Sequence, residues 1–398
     1  MSNSSTLNLY KRNISLMYFL KFFQSLHFFS AVLIPFFIDW GGINFTQIMI
    51  LQSVFVFSAF AMEVPTGVIA DYFGRKHSIA LAIFFNIAGI LVYASYPNFY
   101  IFVIAEFLWA IANALMSGAD QAMVYDSLKK YKSEHLSKKI FARFKSFNVA
   151  AIMISGPIGS LIATYLGLRA TMLFMAFPMI IALIISLFLT EPRTKKSKES
   201  KRYLQIFSSG VKHFRNNKIL QILSFDMISN FALVFMVIWT YQLLLEQLGV
   251  AIIYFGFVHA AIAGIQVIFL NSVPWMEKLF KSKKNYLLWS AVIPGLAYLV
   301  LATNQNIYLA VLLLMLITGF GLTRSTLFDS YINKYIESHN RSTVISFISM
   351  LKKFTIGVIY PIVGILVDWS LTFTFIIIGS SILGMIFISR VEEEHLLD

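Results

Sequence analysis

Apolar segments of about 20 residues recur from one end of the chain to the other. This is the length that an α-helix needs to cross roughly 30 Å of hydrocarbon. Of the 398 residues, 58% are hydrophobic and only 13% are charged, and a soluble fold could not cover so much apolar surface. The sequence predicts an all-α membrane protein with twelve transmembrane helices, over residues 14–38, 46–70, 78–97, 100–127, 141–166, 170–190, 219–246, 250–275, 285–303, 307–331, 342–366 and 371–389.

The formal net charge of +13 is concentrated on one side of these helices. With the N-terminus placed inside, all of the 32 Lys and Arg residues except Lys21, Arg169 and Arg324 fall on the inner side. This bias follows the positive-inside rule, so we expect both termini in the cytoplasm and place the chain in a bacterial inner membrane. The basic residues therefore indicate membrane orientation and give no support for nucleic-acid binding.

The most basic and least apolar interval divides the chain into two halves of six helices. We predict an N-terminal bundle over 1–190, a basic cytoplasmic linker over 191–218 and a C-terminal bundle over 219–398. An even number of helices in each half gives both halves the same orientation. That arrangement is typical of transporters whose site lies near the middle of the membrane, between the repeats.

The two halves also repeat each other in sequence. Asp126 near the end of the fourth helix aligns with Asp329 near the end of the tenth, 203 residues later. The loop after the second helix has a counterpart after the eighth, in which Glu277 and Lys281 correspond to Asp71 and Arg75. The sequence therefore predicts a parallel duplication.

Two motifs carry a family resemblance. The stretch from Gly67 to Lys76, GVIADYFGRK, resembles the signature loop between the second and third helices of the major facilitator superfamily. The stretch SGPIGS in the fifth helix, which contains Gly156, Pro157 and Gly159, resembles a motif of that superfamily's proton-driven exporters, although Ser160 replaces the usual final glycine. The resemblance implies two six-helix bundles that work by alternating access.

For the loop, the resemblance implies a gate on the cytoplasmic side. Arg75 would pair with Asp126, and Asp71 would face the start of the eleventh helix. Without Cβ atoms, glycines at the ends of this loop permit sharp turns and close helix approach. A solvated loop that merely obeys the positive-inside rule is the alternative. The predicted gate residues of both halves are Gly67, Asp71, Gly74, Arg75, Asp126, Glu277, Lys281 and Asp329.

Polar residues inside the predicted helices are candidates for a proton or substrate site, because each charge there costs at least about 2.5–3.5 kcal/mol unless it is paired or hydrated. We expect Lys21 and Asp226, at similar depths, to pair. Alternatives remain: Lys21 and Glu106 could extend to the membrane surface, Asp120 could anchor a helix, and His27 could hydrogen-bond a neighbouring helix rather than carry a proton, which we favour for His27. Where the superfamily's fourth helix often has an arginine, this chain has Glu106. The candidates are Glu63, Glu106, Asn113, Asp120, Asp226, Arg324 and His27.

These features predict a secondary active transporter and not an enzyme. We expect proton-coupled export, by antiport, of a small organic molecule such as a drug, metabolite or siderophore. The alternatives are a proton-coupled importer or facilitator of a nutrient and, less favoured, a transport-inactive receptor. The sequence has no phosphate-binding loop, no H-E-x-x-H motif and no histidines at metal-ligand spacing, so we expect no cofactor and no metal. We expect a monomer whose partners are its substrate, protons and lipid.

Overall fold

The computed structural model describes residues 3–192, 203–337 and 341–396, and the side chain of Asp71 lies outside that description. In this part of the chain, every regular element is helical. Eleven helices are long and apolar enough to cross a membrane, and the segment Ser30–Trp40 is a shorter apolar helix. The prediction of an all-α, multi-pass membrane protein is therefore confirmed.

Contacts divide the chain into two compact units. Unit 1 comprises residues 1–44, 54–198 and 252–260, and unit 2 comprises residues 45–53, 199–251 and 261–398. Two long helices begin in one unit and continue in the other. Residues 45–53 belong to unit 2 while the rest of their helix belongs to unit 1, and residues 252–260 belong to unit 1 while the helix that follows continues in unit 2. The predicted boundaries at 190 and 219 stay a prediction.

Unit 1 is built from seven longer helices. In the segment predicted as the first transmembrane helix, one helix ends at Gln24 and shorter helical turns resume at Ser30. The prediction of one continuous helix over 14–38 is therefore wrong. The helices are α1 (Asn3–Gln24), α2 (Phe45–Phe73), α3 (Arg75–Tyr93), α4 (Phe99–Met116), α5 (Ala119–Lys130), α6 (Ser137–Leu166) and α7 (Leu168–Leu187), with α2 starting in the contact group of unit 2.

Unit 2 has the same kind of helices, preceded by an amphipathic one. The tenth predicted helix is interrupted by a π-helix over Ile317–Leu322, and the seventh is divided at Phe235 and Met236. The helices are α8 (Tyr203–Asn216), α9 (Lys218–Val234), α10 (Val237–Gln247), α11 (Phe255–Leu279), α12 (Lys283–Leu301), α13 (Ile307–Leu316), α14 (Thr323–Lys334), α15 (Arg341–Trp369) and α16 (Leu371–Ile388), with α11 starting in the contact group of unit 1.

Side-chain caps set where several of these helices begin. Asn98, Asn217 and Ser370 each accept a hydrogen bond from a backbone N–H in the first turn of the helix that follows. Such caps satisfy donors that have no partner within the helix. At the start of α2, Asp368 of α15 performs this role, accepting hydrogen bonds from the backbone N–H of Phe45 at 3.1 Å and of Thr46 at 2.8 Å.

The interrupted helices occupy equivalent places in the repeat. The predicted first, fourth, seventh and tenth helices are all broken, and a break frees backbone groups that a membrane cannot solvate. In the first, the break is satisfied locally, since His27 Nε2 lies 2.9 Å from the carbonyl oxygen of Gln24 and Ser30 donates to the carbonyl of His27. The broken helices carry most of the polar candidates identified from the sequence.

Candidate functional site

A cavity of about 470 Å³ lies within unit 1, among α1 and the turn after it, α2, α3, α4, α6, α7 and the first turns of α11. Ligand sites in proteins typically have volumes of about 300–1,000 Å³ and combine apolar walls with a few converging polar groups. This cavity has both. Its polar lining is Lys21, Gln24, Ser25, His27, Ser30, Asn86, Asn113, Asn148 and His259, and its apolar lining is Phe55, Trp109, Ala112, Met116, Ile152, Met175 and Met179.

An ion pair lies at the edge of the cavity. Lys21 Nζ of α1 is 3.1 Å from Asp120 Oδ2 of α5, and the two side chains are 22% and 10% exposed. The ammonium group also lies 5.4 Å from the ring centre of Phe144, within the range of a cation–π interaction. The expected pairing of Lys21 with Asp226 is wrong, because each residue has its ion-pair partner inside its own unit.

The position of Asp120 depends on the break in the fourth predicted helix. Gly118 has φ +75°, a conformation that L side chains rarely adopt, and it separates α4 from α5. Asp120 then lies in the first turn of α5, where its Oδ1 accepts a hydrogen bond from the backbone N–H of Gln121 at 2.7 Å. The helical spacing predicts that Glu106, Asn113 and Asp120 share one face. The break at Gly118 separates Asp120 from the helix that carries Glu106 and Asn113, so the spacing does not extend to Asp120.

Of the other candidates in unit 1, Asn113 and His27 line the cavity. Glu106 is not among the described residues that line it, is 2% exposed and lies beside the hydroxyl group of Tyr93. Glu63 on α2 is half-buried and is not among the described residues that line the cavity. The structure therefore brings Asn113, His27 and Asp120 together and leaves Glu106 and Glu63 apart from them.

The cavity also contains amides that the sequence analysis did not identify. Asn148 of α6 donates to Ser25 Oγ at 2.7 Å, and the backbone carbonyl of Asn86 accepts from Trp109 Nε1 at 3.1 Å. Asn86 is an isolated polar residue in a predicted transmembrane helix, and this could have identified it, because an amide in hydrocarbon has to face another helix or water. Asn148 follows Arg143, Lys145 and Ser146 in sequence and does not stand out in the same way.

Unit 2 contains a second ion pair, formed by Asp226 of α9 and Arg324 of α14. Arg324 Nη2 is 2.5 Å from Asp226 Oδ1, and the side chains are 7% and 2% exposed, respectively. Arg324 Nη1 donates to the Leu287 carbonyl and to Ser290 Oγ, and Ser389 donates to Asp226 Oδ2 at 2.6 Å. A cleft of about 300 Å³ borders Asp226, yet the carboxylate is almost completely covered.

At the loop that resembles the signature motif, Arg75 Nη1 contacts Asp126 Oδ2, as the resemblance implies. Arg75 Nη1 also donates to the carbonyl of Ala122 at 2.8 Å. Gly74 has φ +95°, so a residue with a side chain would be strained there. Gly67 differs, because a Cβ added to it would meet no atom within 4 Å.

Two glutamates that the sequence analysis did not single out cap equivalent helices in the two units. Glu191 accepts hydrogen bonds from the backbone N–H groups of Arg75 at 3.0 Å and Lys76 at 2.7 Å. Glu393 accepts from the backbone N–H groups of Lys283 at 3.1 Å and Lys284 at 2.9 Å. Each glutamate follows the last helix of its half, so the sequence repeat could have predicted that the two glutamates have the same role.

The remaining predicted gate residues of the second half have other neighbours. Glu277 Oε1 accepts a hydrogen bond from the Tyr331 hydroxyl group at 3.0 Å. Lys281 lies just after α11 with φ +67°, and Asp329 is exposed on α14. No ion pair among these three is observed in the described part of the chain, so the second half does not reproduce the contact between Arg75 and Asp126.

The glycines of the fifth-helix motif allow main chains to meet. A Cβ at Gly156 would lie 2.8 Å from the carbonyl oxygen of Gly256, and one at Gly159 would overlap the carbonyl oxygen of Phe28. Ser160 Oγ donates to the carbonyl of Ile253 at 2.9 Å. The motif, which includes Pro157 inside α6, therefore packs directly against the start of α11 and the turn after α1.

Among the described residues, no group of three or more His, Asp or Glu side chains is arranged to hold a metal ion. A family model described as Major Facilitator Superfamily matches residues 14–358.

Two relatives are similar over part of the chain. One is an uncharacterized MFS-type transporter, YxaM, of Bacillus subtilis (strain 168), which is 30% identical over 149 residues, or 37% of this chain and 34% of that protein. The other is an uncharacterized transporter, BU466, of Buchnera aphidicola subsp. Acyrthosiphon pisum (strain APS), which is 28% identical over 159 residues, or 39% of this chain and 38% of that protein. The chain thus spans little more than a third of the length of these relatives.

Solved structures resemble the whole chain. The nucleoside transporter NupG has a TM-score of 0.79 at 13% identity, over 96% of this chain and 100% of that one. A POT family transporter in complex with 5-aminolevulinic acid has a TM-score of 0.74 at 15% identity, over 95% of this chain and 96% of that one. A D-xylose-proton symporter has a TM-score of 0.69 at 13% identity, over 96% of this chain and 97% of that one. At these identities the likeness shows the fold.

Proposed function

The chain belongs to the Major Facilitator Superfamily, and we propose that it carries a small organic molecule across the membrane by alternating access. The observation that carries this proposal is the cavity in unit 1. It has the volume of a small-molecule site, and its polar side chains converge from several helices onto one space. Its aromatic and methionine walls suit a ligand with an apolar body.

We propose that transport is coupled to protons through Asp120. This proposal is supported by the ion pair of its carboxylate with Lys21, which lines the cavity. Asp120 is buried, but its partner Lys21 lines the cavity, whereas Asp226 is enclosed in its own network. Glu63 and Glu106 remain candidates of lower rank, because neither lines the described cavity.

The charge of the cavity favours import by symport. Competition between a proton and a cationic substrate, which is the simplest basis for antiport, requires an acid that faces the substrate. Of the described residues that line the cavity, none is Asp or Glu, and Lys21 is the one Lys or Arg. By its name, one of the solved structures of similar fold is a D-xylose-proton symporter.

Export by antiport is the second candidate direction, and it is favoured by one observation. Gly156, Pro157 and Gly159 resemble the motif of proton-driven exporters, and both glycines lie at close main-chain contacts. Such contacts make helix approach at this position sensitive to any added side chain. Drugs, metabolites and siderophores are the substrate types that this direction would suit.

Transport by purified protein in lipid vesicles distinguishes these directions. Comparing metabolites inside and outside cells with and without the protein would nominate compounds, which are then tested in vesicles under a pH gradient. Symport predicts accumulation on the side toward which protons flow, and antiport predicts accumulation on the opposite side. A protonophore should abolish both. If nominated compounds bind and none moves under either gradient, the protein is a receptor and the transport proposal is wrong.

We also propose that the loop from Gly67 to Lys76 gates the cytoplasmic side, with Asp126 as the partner of Arg75. Glu277, Lys281 and Asp329 are the proposed gate residues of the second half. Asp71→Asn should increase labelling of cysteines engineered on the cytoplasmic side of the cavity helices, which is practical because the chain has no native cysteine. Unchanged labelling would remove Asp71 from the gate.

The orientation and assembly are proposals as well. We propose a monomer in the bacterial inner membrane with both termini in the cytoplasm, on the basis of the distribution of Lys and Arg. A cysteine introduced near either terminus should react with a membrane-impermeant reagent only after the cells are opened. Reaction in intact cells would reverse the proposed orientation.

A further inference from the structure

We propose that the substrate is a small organic monocarboxylate, and that its carboxylate replaces Asp120 on Lys21 while Asp120 takes up a proton. This inference rests on the proposed function, because it assigns the substrate class and the coupling step of the same cavity. Four groups of observations carry it: the charge of the lining, the geometry of Lys21, the chemistry of the surrounding side chains and the partial exposure of the pair.

The lining selects for one negative charge. Lys21 is the single Lys or Arg among the described lining residues, and no Asp or Glu accompanies it there. A cationic ligand would therefore meet a like charge and no counter-ion. A phosphate monoester carries about two negative charges near neutrality and is typically held by arginine forks or several cations. One lysine matches one carboxylate.

The geometry leaves Lys21 able to bind a second anion. Its side chain is 22% exposed and lines the cavity, while Asp120 is 10% exposed and lies behind it. A lysine ammonium has three donors, and Asp120 Oδ2 occupies one of them at 3.1 Å. Phe144 covers another side at 5.4 Å. The exposed side of the ammonium is therefore the side that faces the cavity.

The side chains around this charge suit a carboxylate with an apolar body. Asn113 is exposed to the cavity, and Gln24 is on the same helix as Lys21, one turn further along. Amide N–H groups donate to carboxylate oxygens. Trp109, Met175 and Met179 provide a surface for an aromatic or aliphatic body. The structure thus offers one charged contact, several neutral donors and an apolar wall.

Exchange of partners links the substrate to a proton. When the substrate's carboxylate binds Lys21, Asp120 loses its counter-ion at a position only 10% exposed, and a carboxylate without a partner there favours protonation. The proton comes from water and binds an oxygen of Asp120. Substrate and proton therefore promote each other's binding, and this linkage is reciprocal. One anion and one proton would move together without net charge.

Two histidines are the other titratable groups in the described lining of the cavity: His27 from the turn after α1 and His259 from α11. Arg143 of α6 lies outside that lining and acts electrostatically on Tyr18, one helical turn before Lys21. The described lining residues from α3, α4 and α7 contribute no further charge. Protonation of either histidine would also attract an anion, so His27→Gln and His259→Gln have to be tested beside Asp120.

The test is carboxylate binding by purified protein in detergent, measured together with proton uptake from a weakly buffered solution that contains a pH indicator. The probes are benzoate, phenylacetate and hexanoate, each paired with its neutral amide. We expect carboxylates to bind at least about 10-fold more tightly than their amides, since a hydrogen bond to a charged group contributes about 1.5–3 kcal/mol. Each bound carboxylate should take up about one proton.

Four variants identify the groups involved. Asp120→Asn should bind benzoate at least as tightly as the unchanged protein and take up no proton. Lys21→Met should weaken benzoate binding at least about 10-fold, and Lys21→Arg should retain it. Arg143→Gln, which removes an exposed cation outside the cavity lining, is the matched control and should change neither measurement.

Each contrary outcome overturns a defined part of the proposal. If no carboxylate binds, or if amides bind as tightly, the substrate class is wrong, and transport of neutral compounds in vesicles remains to be judged separately. If proton uptake survives in Asp120→Asn and disappears in His27→Gln or His259→Gln, a histidine and not Asp120 accepts the proton. If Lys21→Met fails to fold, Lys21→Met with Asp120→Asn removes both charges and should still lose carboxylate binding. Carboxylate binding with proton uptake, but without movement in vesicles, would contradict the transport proposal alone.

Discussion

Among the described residues, an ion pair joins the first and fourth helices of unit 1 and another joins the equivalent helices of unit 2, and these two pairs are built differently. In unit 1, Lys21 of the first helix binds Asp120 of the fourth. In unit 2, Asp226 of the helix equivalent to the first binds Arg324 of the helix equivalent to the fourth, so the order of the charges is reversed. The side chains of the first pair are 22% and 10% exposed, and Arg324 and Asp226 are 7% and 2% exposed.

The surroundings of the two pairs differ in a way that favours an exchange of partners only in unit 1. Asp226 and Arg324 are held by Ser389, Ser290 and the carbonyl of Leu287, so their buried charges have satisfied partners on several sides. Removing one member of such a pair leaves an uncompensated charge in the interior. Lys21 and Asp120 lie beside a cavity, where another group or water can replace a lost partner. The pair in unit 2 is thus enclosed by its own hydrogen bonds, whereas the pair in unit 1 borders a cavity, which is where we propose that partners exchange.

The largest expected effect is on stability. Arg324→Met should reduce the free energy of unfolding by about 3–5 kcal/mol, because it leaves the Asp226 carboxylate buried without its counter-ion. Lys21→Met should reduce it by less than Arg324→Met does, because Lys21 borders a cavity in which water can replace the lost partner. Unfolding of both variants in the same detergent, followed by denaturant or heat, measures the difference. Equal losses would mean that both pairs are structural.

A smaller effect is expected from removing one hydroxyl group in each unit, the first bonded to the charged pair of unit 2 and the second bonded to a neutral amide in the cavity of unit 1. Ser389→Ala removes the hydroxyl group that donates to Asp226 at 2.6 Å, and should cost about 1.5–3 kcal/mol, as expected for a hydrogen bond to a charged group. Ser25→Ala is the matched change in unit 1, where the hydroxyl oxygen accepts from the neutral Asn148 at 2.7 Å. It should cost about 0.5–1.5 kcal/mol. The reverse order of these two losses would contradict the assignment of the sealed pair to unit 2.

Reversing the first pair gives unit 1 the charge order of unit 2. The double variant Lys21→Asp with Asp120→Lys should keep stability within about 1 kcal/mol of the unchanged protein, because a partly exposed pair tolerates rearrangement. It should also lose at least about 10-fold in benzoate binding, because an acid now faces the cavity. Binding assays and unfolding curves on one preparation provide both values. Unchanged benzoate binding would show that the charge facing the cavity does not select the ligand.

The smallest expected effect is a change in chemical reactivity. Asn113→Cys in the cavity should react with a hydrophilic thiol reagent, and benzoate should slow that reaction several-fold by occupying the space. Ser290→Cys, at a site beside Arg324 that is 0% exposed, should stay unreactive in folded protein. Labelling rates followed by mass spectrometry measure both. Fast reaction of Ser290→Cys would show that the second pair opens to solvent.

Much of the fold was predictable because apolar length and charge bias act locally along the chain. The membrane-spanning helices and the contact between Arg75 and Asp126 agree with the sequence analysis. The pairing of Lys21 with Asp226 was wrong for a physical reason: sequence position gives the depth of a residue in a helix, and depth does not determine which neighbouring helix the side chain faces.

The other differences between the sequence prediction and the structure also arise from local backbone conformation and tertiary contacts. The face shared by Glu106 and Asp120 assumed a continuous helix, and Gly118 with φ +75° interrupts it. The break after Gln24 depends on hydrogen bonds made by His27 and Ser30, which helical periodicity does not reveal. Glu191 caps α3 from a distant part of the sequence, so its role is a tertiary contact.

The most direct test of whether Asp120 takes up a proton when a carboxylate binds is an infrared difference spectrum, recorded as benzoate is added to the protein. Benzoate labelled with ¹³C at its carboxyl carbon keeps its own bands separate from those of the protein. Protonation of Asp120 predicts a new protonated-carboxyl C=O band in the unchanged protein. The band should be absent in Asp120→Asn and present in the folded fraction of Asp226→Asn. A band that persists in Asp120→Asn, or that disappears only in Asp226→Asn, would contradict that prediction.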